Sequence, residues 1–397
     1  MEPPLKPRWL RVALAIFEHG SALRAAETVH LSAPAVLGAL GSLEGALGEK
    51  LFERHATGMR PTEAGAGFCR RIKTALAELR EAETALHAKR RFAGMVDLVH
   101  LRALLALQEA ESVGAAARAL GLAQPTLHRA ARELEALAGV TLWERAGRGL
   151  RPTWAARRLG EHAGRMQAEL RLGVDELQEA HGLKAGRLYV GALPLARSHW
   201  LPAALARTLD DYPRAEIDIM DGPYDQQRAA LRAGRIDLIL GPLRADSPEI
   251  AQEWLFFDPL TIVTGPGHAL AGATGLSRAA LEALDWILPP QGTPSRLAFE
   301  AYLHGQGARV PEHAIACNSL ITIRALLRAT PRSAVLSKRQ IGAELARGEL
   351  VAVGAPIAGS AQPVGIATRP AFRPSGLVGA FLQHARDVAG EIGRGQA

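Results

Sequence analysis

The chain has 397 residues, 48% of them hydrophobic and 22% charged, enough to bury a sizeable core and unlike the composition of a disordered chain. No uncharged apolar run reaches the ~18 residues that a membrane helix needs, and the N-terminal MEPPLKPRW lacks an apolar signal core, so the chain is expected in the cytoplasm with no membrane partner. The net charge of +7 divides as +5 over residues 1–185 and +2 over the rest, which permits nucleic-acid binding without requiring it. Cys69 and Cys317 are too few for a disulfide framework or a metal cluster and read as packing residues.

In chain order, Leu10, Leu14 and Phe17 recur at helical spacing, and Gly20-Ser21 supplies a stop followed by an N-cap. A short helix runs through Ala25-Ala26, and Pro34 opens the next, whose Val36, Leu40, Leu43 and Leu47 form one apolar face. Leu51-Phe52 begins a short strand, Gly58 allows a tight loop, and Pro61-Thr62 returns the chain. The pattern predicts a winged helix-turn-helix. A long helix follows, with Phe68, Ile72, Ala75, Leu79, Ala82 and Leu86 in a 3-4 heptad pattern.

The same series then recurs without a gap. Ser21 pairs with Ser112 at a spacing of 91, as do Pro34 with Pro125, Leu43-Glu44 with Leu134-Glu135, and Arg60-Pro61-Thr62 with Arg151-Pro152-Thr153. The heptad recurs too, as Leu159, Ala163, Met166, Leu170, Gly173 and Leu177. The repeated unit therefore includes the helix that would pair with a partner helix.

From about Gly186 strands and helices alternate. GRLYVGALP, AEIDIM and RIDLILGP read as strands, with SHWLPAALARTLDDYP and YDQQRAALRAG as helices between them, so a parallel sheet is expected. A second lobe follows WLFFDPLTIVTGPGHALA, with strand DWILPP and helices SRLAFEAYLHGQG and NSLITIRALLRAT, before strand SAVLS returns to the first lobe.

The chain resembles the LysR family of bacterial transcription regulators. Copy one carries the family signature in Ser21, Ala25-Ala26, Pro34, Leu43-Glu44, Leu47-Gly48, Leu51-Phe52-Glu53-Arg54 and Pro61-Thr62. Copy two carries it in Ser112, Ala116-Ala117, Gln124-Pro125, Leu134-Glu135, Leu142, Glu144-Arg145 and Pro152-Thr153. In the later half, Leu201-Pro202, Tyr212-Pro213, Asp237-Leu238 and Gly267-His268 match the family's two-lobed, periplasmic-binding-protein-like sensor. The resemblance implies two mainly-α winged helix-turn-helix domains (8–65 and 98–156), linker helices (66–93 and 157–182) and an α/β effector-binding domain (186–397). Within the last, lobe I is expected over about 186–260 and 335–397, and lobe II over about 265–334. It implies double-stranded operator DNA, a small acidic metabolite and further copies of the chain as partners, with RNA polymerase a further candidate.

The copies differ where bases would be read. A major-groove helix reads base edges with polar side chains. Copy two offers Gln124, Thr126, His128, Arg129 and Arg132; copy one has Ala33, Ala35, Leu37, Gly38 and Gly41 there. Phosphate contacts are expected from Arg145, Arg148, Arg151 and Thr153 in copy two and from Arg54 and Arg60 in copy one. Copy one is either half of an internal pseudo-dimer built on the two heptad helices or a relic that packs as a spacer.

Ligands of two-lobed sensors sit at strand carboxyl ends and helix N-termini. Pro194, Arg197, Ser198, Gly241, Thr293, Arg296, Asn318 and Ser319 are the candidates, with Arg296 able to clamp an anion, or else to stand exposed at a helix start. Thr293 and Ser319 read equally as N-caps. No nucleophile–base pair, metal cluster or phosphate loop is legible, so no enzyme, cofactor or metal is expected. The competing reading is a ligand-binding protein with little DNA affinity that acts through protein partners.

Overall fold

The computed structural model describes residues 5–56, 58–88, 91–110, 112–146, 149–245 and 247–394. The first unit runs α1 (Pro7–His19), α2 (Ala22–Val29), α3 (Ala33–Leu47), hairpin β1 (Phe52–His55) and β2 (Gly58–Pro61), then α4 (Glu63–Ala85). The second repeats that order: α5 (Leu98–Glu109), α6 (Val113–Leu120), α7 (Gln124–Ala138), β3 (Trp143–Ala146), β4 (Gly149–Pro152) and α8 (Trp154–Ala180). Both hairpins are antiparallel and in equivalent register.

Two side chains explain how each hairpin is held. Glu44 is buried in α3, and its Oε1 accepts from the backbone N–H of Leu51 (3.0 Å) and Phe52 (3.3 Å). Glu135 does the same in α7, accepting from Leu142 (2.7 Å) and Trp143 (3.3 Å). A carboxylate here satisfies two N–H groups that the wing leaves unpaired. Thr62 and Thr153 each cap the following long helix, accepting from Gly65 (2.8 Å) and Ala156 (3.2 Å). These caps start the long helices at Glu63 and Trp154, three residues ahead of the expected 66 and 157.

α4 and α8 pack antiparallel. Phe68 and Arg71, near the start of α4, meet Gly173 and Glu176 near the end of α8, while Glu78 meets His162 and Arg165. Every heptad residue of both helices is buried. Glycine occupies one heptad site for a steric reason: a Cβ at Gly173 would lie 2.8 Å from Phe68 Cδ2. Arg71 is 6% exposed and donates to Glu169 (2.9 Å) and Glu176 (2.5 Å). At the other end Glu78 Oε2 accepts from Arg165 Nε (2.9 Å) and lies 2.8 Å from His162 Nδ1, which Arg165 Nη2 also approaches to 2.7 Å. Replacing such a cluster whole by apolar side chains is often neutral, whereas removing one partner leaves the others buried and uncompensated.

The C-terminal half has two sheets. Lobe I comprises β5 (Ala185–Ala192), α9 (Trp200–Asp211), β6 (Arg214–Met220), α10 (Tyr224–Arg232), β7 (Leu238–Pro242) and β8 (Ala251–Asp258). The chain crosses into lobe II at β9 (Leu260–Thr264), α11 (Arg278–Ala283), β10 (Trp286–Leu288), α12 (Pro294–Gly305) and β11 (Ala314–Ala316). Lobe II goes on through α13 (Leu320–Ala329), β12 (Ser333–Ser337), α14 (Gly342–Ala346) and β13 (Val351–Val353). It returns to lobe I through β14 (Gln362–Thr368) and α15 (Gly376–Arg394).

Two expectations are corrected. The SAVLS strand pairs with β9 and β10, so lobe II runs on to Val353 rather than ending near 334, and the return lies between β13 and β14. The sheets are mixed rather than parallel. Lobe I has the order β6-β5-β7-β14-β8, parallel among the first three strands, with β14 antiparallel to both neighbours. Lobe II has the order β11-β10-β12-β9-β13, with β9 antiparallel to β12 and β13. The two long crossing strands must run backwards through the sheets they join, which alternation of strands and helices does not reveal.

α8 is bolted to lobe I. Asp237, fully buried, accepts from Arg171 Nη2 (2.5 Å) and the Tyr189 N–H (3.1 Å). Gly164 lets the helix touch the turn after α10, since a Cβ there would lie 2.0 Å from the Ala233 carbonyl oxygen. Nearby, burial pushes the Asp175 carboxyl up to about 6, against the pull of Arg171 and Arg187, with Asp237 adding to the rise. A carboxyl that holds its proton more tightly when folded favours the native state while protonated. That contribution is complete below pH 3.8 and is lost as pH rises to about 6. Asp175→Asn should therefore flatten stability across this window relative to the parent, as read by urea unfolding at stepped pH; an unchanged slope would refute it.

Candidate functional site

The first candidate surface is α7. Gln124, Arg129 and Arg132 are exposed and Thr126 and His128 half-buried, while Leu127, Ala130, Ala131 and Leu134 face the core. Ala131 is nearly fully buried, and a small residue there leaves the helix close to its neighbours. No side chain caps α7, because Ala123 stands at its N-cap; Ser32 caps α3 through the Ala35 N–H at 3.4 Å. Arg129 faces Glu133 at 3.6 Å across an exposed turn, a weak tie that a stronger anion would displace. Gly114 leaves room for the Gln124 amide, which a Cβ there would approach to 3.0 Å. Copy one has Leu23, 66% exposed, at the position matching Gly114.

Around the wings, Arg54, Arg60, Arg145 and Arg151 are all exposed on their strands. Arg148 lies outside the described residues. Thr153 is engaged otherwise than expected: its hydroxyl donates to the Thr141 carbonyl (2.9 Å) and accepts from the Ala156 N–H, which leaves no donor for a phosphate. The matching Thr62 hydroxyl donates to the Lys50 carbonyl at 3.0 Å.

The second candidate site is a cavity of about 640 Å³ between the lobes. Pro194, Thr293 and Asn318 line it as expected. Thr293 is at once an N-cap, accepting from the Arg296 N–H (3.3 Å) and donating to the Pro290 carbonyl (2.8 Å). The remaining candidates sit elsewhere. Arg197 forms an ion pair with Asp221, and Ser198 is outside the lining. Gly241 is buried in the sheet with Pro242 facing the cavity in its stead. Ser319 caps α13, accepting from the Thr322 N–H. Arg296 is 4% exposed and bonded to Glu300 one turn on, at 2.5 Å, so its position at a helix start puts it under the helix rather than in the cleft.

The cations that do line the cavity are Arg228 on α10 and Arg244 just past β7. The sequence-based candidates stop two residues short of Arg244, at Gly241-Pro242, although a strand's carboxyl end extends into the loop beyond it. Ser295 and Gln362, from opposite lobes, bond across the cleft at 3.1 Å. Cys317 also lines the cavity and is half-buried, whereas Cys69 is fully buried and its thiol is pushed up to about 12 by that burial. One thiol of the folded protein should thus react with a disulfide reagent at neutral pH, and the second only after unfolding. Two rapid equivalents would refute the burial.

Among the described residues, no helix is long and apolar enough to cross a membrane. The sequence profile of the bacterial regulatory helix-turn-helix proteins of the LysR family matches residues 7–66 and again 98–157. That of the LysR substrate binding domain matches residues 181–390. The chain is 31% identical, over 96% of its length and 97% of the other, to the HTH-type transcriptional regulator GalR of Pseudomonas putida. To the uncharacterised HTH-type transcriptional regulator YdcI of Escherichia coli it is 29% identical over 70% of its own length and 91% of the other. A full-length OxyR variant from Pseudomonas aeruginosa shares the fold, with a TM-score of 0.54 at 22% identity, over 73% of this chain and 97% of that one.

Proposed function

The chain belongs to the LysR family of DNA-binding transcriptional regulators, and from that premise we propose that it is a tandem-duplicated member that reads DNA through its second copy. The observation that carries this reading is α7, which presents Gln124, Arg129 and Arg132 to solvent where α3 presents alanine and glycine. Glutamine and arginine are the side chains that pair bidentately with adenine and guanine. Arg145 and Arg151 supply phosphate contacts beside it, and Arg54 and Arg60 supply contacts without base reading.

Duplication is supported by three facts taken together. The helix-turn-helix profile matches twice, at positions 91 residues apart. The Pseudomonas putida regulator matches this chain end to end, while the Escherichia coli relative uses nearly all its length to cover 70% of it. The Glu44 and Glu135 anchors and the Thr62 and Thr153 caps repeat the same bonds. On this reading α4 and α8 form within one chain the helix pair that two subunits would otherwise supply, and copy one is half of an internal pseudo-dimer rather than a spacer. Homo-oligomers through the C-terminal half and contact with RNA polymerase belong to the same proposal.

The cleft between the lobes is proposed to bind a small anionic metabolite, and occupancy to alter the placement of α8 on DNA. The path is short. α10 lines the cavity with Tyr224 and Arg228, and at its far end the Arg232 carbonyl accepts from Arg165 of α8 at 2.9 Å, while its guanidinium meets Glu161 at 3.1 Å. The test is binding of the intact protein to its own promoter region at several salt concentrations. Specific binding that survives Arg129→Ala unchanged would overturn the assignment of α7.

A further inference from the structure

Three little-exposed arginines elsewhere meet acids: Arg71 pairs with Glu169 and Glu176, Arg171 with Asp237, and Arg296 with Glu300. Arg369 instead donates to the Leu231 and Ile236 carbonyls and leaves its Nη2 unpartnered outside the lining of the interlobe cavity. Arg244 is half-buried and differs from all four in its place. It lines the cavity between the lobes, its Cζ lies 4.7 Å from the centre of the Tyr224 ring, and its Nη1 is buried without a hydrogen-bond partner. No carboxylate among the described residues lies within ion-pair distance of it. A buried, unmatched guanidinium N–H is costly, and an anion delivered from solvent removes that cost.

The arginine is also held ready. Its own N–H donates to Gln252 Oε1 (2.9 Å), and its carbonyl accepts from Gln252 Nε2 (3.1 Å), so the main chain is clamped before any ligand arrives. The other charges of the described lining are Arg228 and Asp225, which leaves a net of +1. Much of the remaining wall is apolar, with Leu193, Pro194, Pro289, Pro290 and Ile323 among it.

We propose that this cavity takes a monocarboxylate with a compact apolar body, its carboxylate held bidentately by Arg244 against the face of Tyr224. The assignment rests on the reading of this cleft as the effector site. A second negative charge would meet Arg228 only with Asp225 three residues before it on α10, and a neutral isostere would leave the guanidinium unmatched. The Ser295–Gln362 pair across the cleft can bond polar substituents on the ligand body.

The test is calorimetric titration of the full-length protein with benzoate and hexanoate as monocarboxylate probes, and with succinate, inorganic phosphate and benzamide as controls. Expected are binding of at least one monocarboxylate, none of the controls within about 10-fold of it, and a loss of about 10-fold or more in Arg244→Gln. Arg244→Lys should recover part of that loss, and the bound acid should slow alkylation of Cys317, which lines the same cavity. Binding of neither acid, a preference for succinate, phosphate or benzamide, or equal binding by Arg244→Gln in a protein of unchanged circular dichroism would each overturn the proposal. A monocarboxylate that binds through Arg244 yet leaves the promoter footprint unmoved would instead uphold the ligand class and overturn the regulatory reading of the cleft.

Discussion

Arg71→Ala should destabilise the protein by about 3 kcal/mol or more, the expected cost of removing one partner from a buried ion cluster. The side chain is 7% exposed, and its loss leaves Glu169, 14% exposed, in the α4–α8 seam without its ion-pair partner. Glu176, at 35% exposure, recovers some solvation, which keeps the expectation at the lower end of the range. Arg71→Lys should recover only part, because one ammonium cannot span two carboxylates that stand two turns apart on α8. The triple replacement Arg71→Met, Glu169→Leu, Glu176→Gln should be far milder than Arg71→Ala, since it removes the stranded charges together with their partner. Urea unfolding followed by far-ultraviolet circular dichroism measures all three. A cost below about 1 kcal/mol for Arg71→Ala would show that the seam does not depend on the cluster.

On DNA, the double variant Gln124→Ala, Arg129→Ala should lose about 2–6 kcal/mol of specific binding, with non-specific binding nearly unchanged. Both side chains leave the exposed side of α7, so the fold should not register the change. Arg54→Ala and Arg60→Ala should instead weaken binding to every sequence alike and reduce its salt slope by about one for each phosphate no longer neutralised. Substitution of Gly38 by Ala on the exposed face of α3 should change neither. Gel-shift titrations against specific and scrambled fragments at two salt concentrations separate these outcomes. A loss of sequence preference from the Gly38 variant would overturn the division of labour between the copies.

How much of this was legible in the sequence depends on what each residue's role requires. Periodicity marks the long helices and their buried heptads, because an apolar seam recurs every three or four residues, but it overruns the end of the first, which stops at Ala85 rather than 93. The repeat at 91 residues brought Glu44 and Glu135 to notice as a signature, but their task needed coordinates, since nothing local tells a solvent-facing glutamate from one that anchors a wing. The cleft was read least well. Pro194, Thr293 and Asn318 were found from their places at strand and helix ends. Arg296 differs from expectation because a helix-start arginine points outward or back under its helix according to where an acid lies one turn on, and Glu300 lies there. Arg244 carries no local mark, because which groups face a guanidinium among the described residues is set by the fold and not by its neighbours in sequence.

The antiparallel seam of α4 and α8 carries one more implication. Two helices on one polypeptide meet at an effective concentration in the millimolar range, so dilution does not separate them as it separates subunits. Nothing then obliges the two halves of the seam to stay alike: Gly173 faces Phe68 and a single arginine faces two glutamates, pairings that a symmetric dimer would have to repeat on both sides of its axis. The covalent link fixes a one-to-one ratio of unequal halves. On the proposed division of labour between the copies, a defective allele would not act on a healthy one through this seam, and the DNA beneath it would not need to be a palindrome.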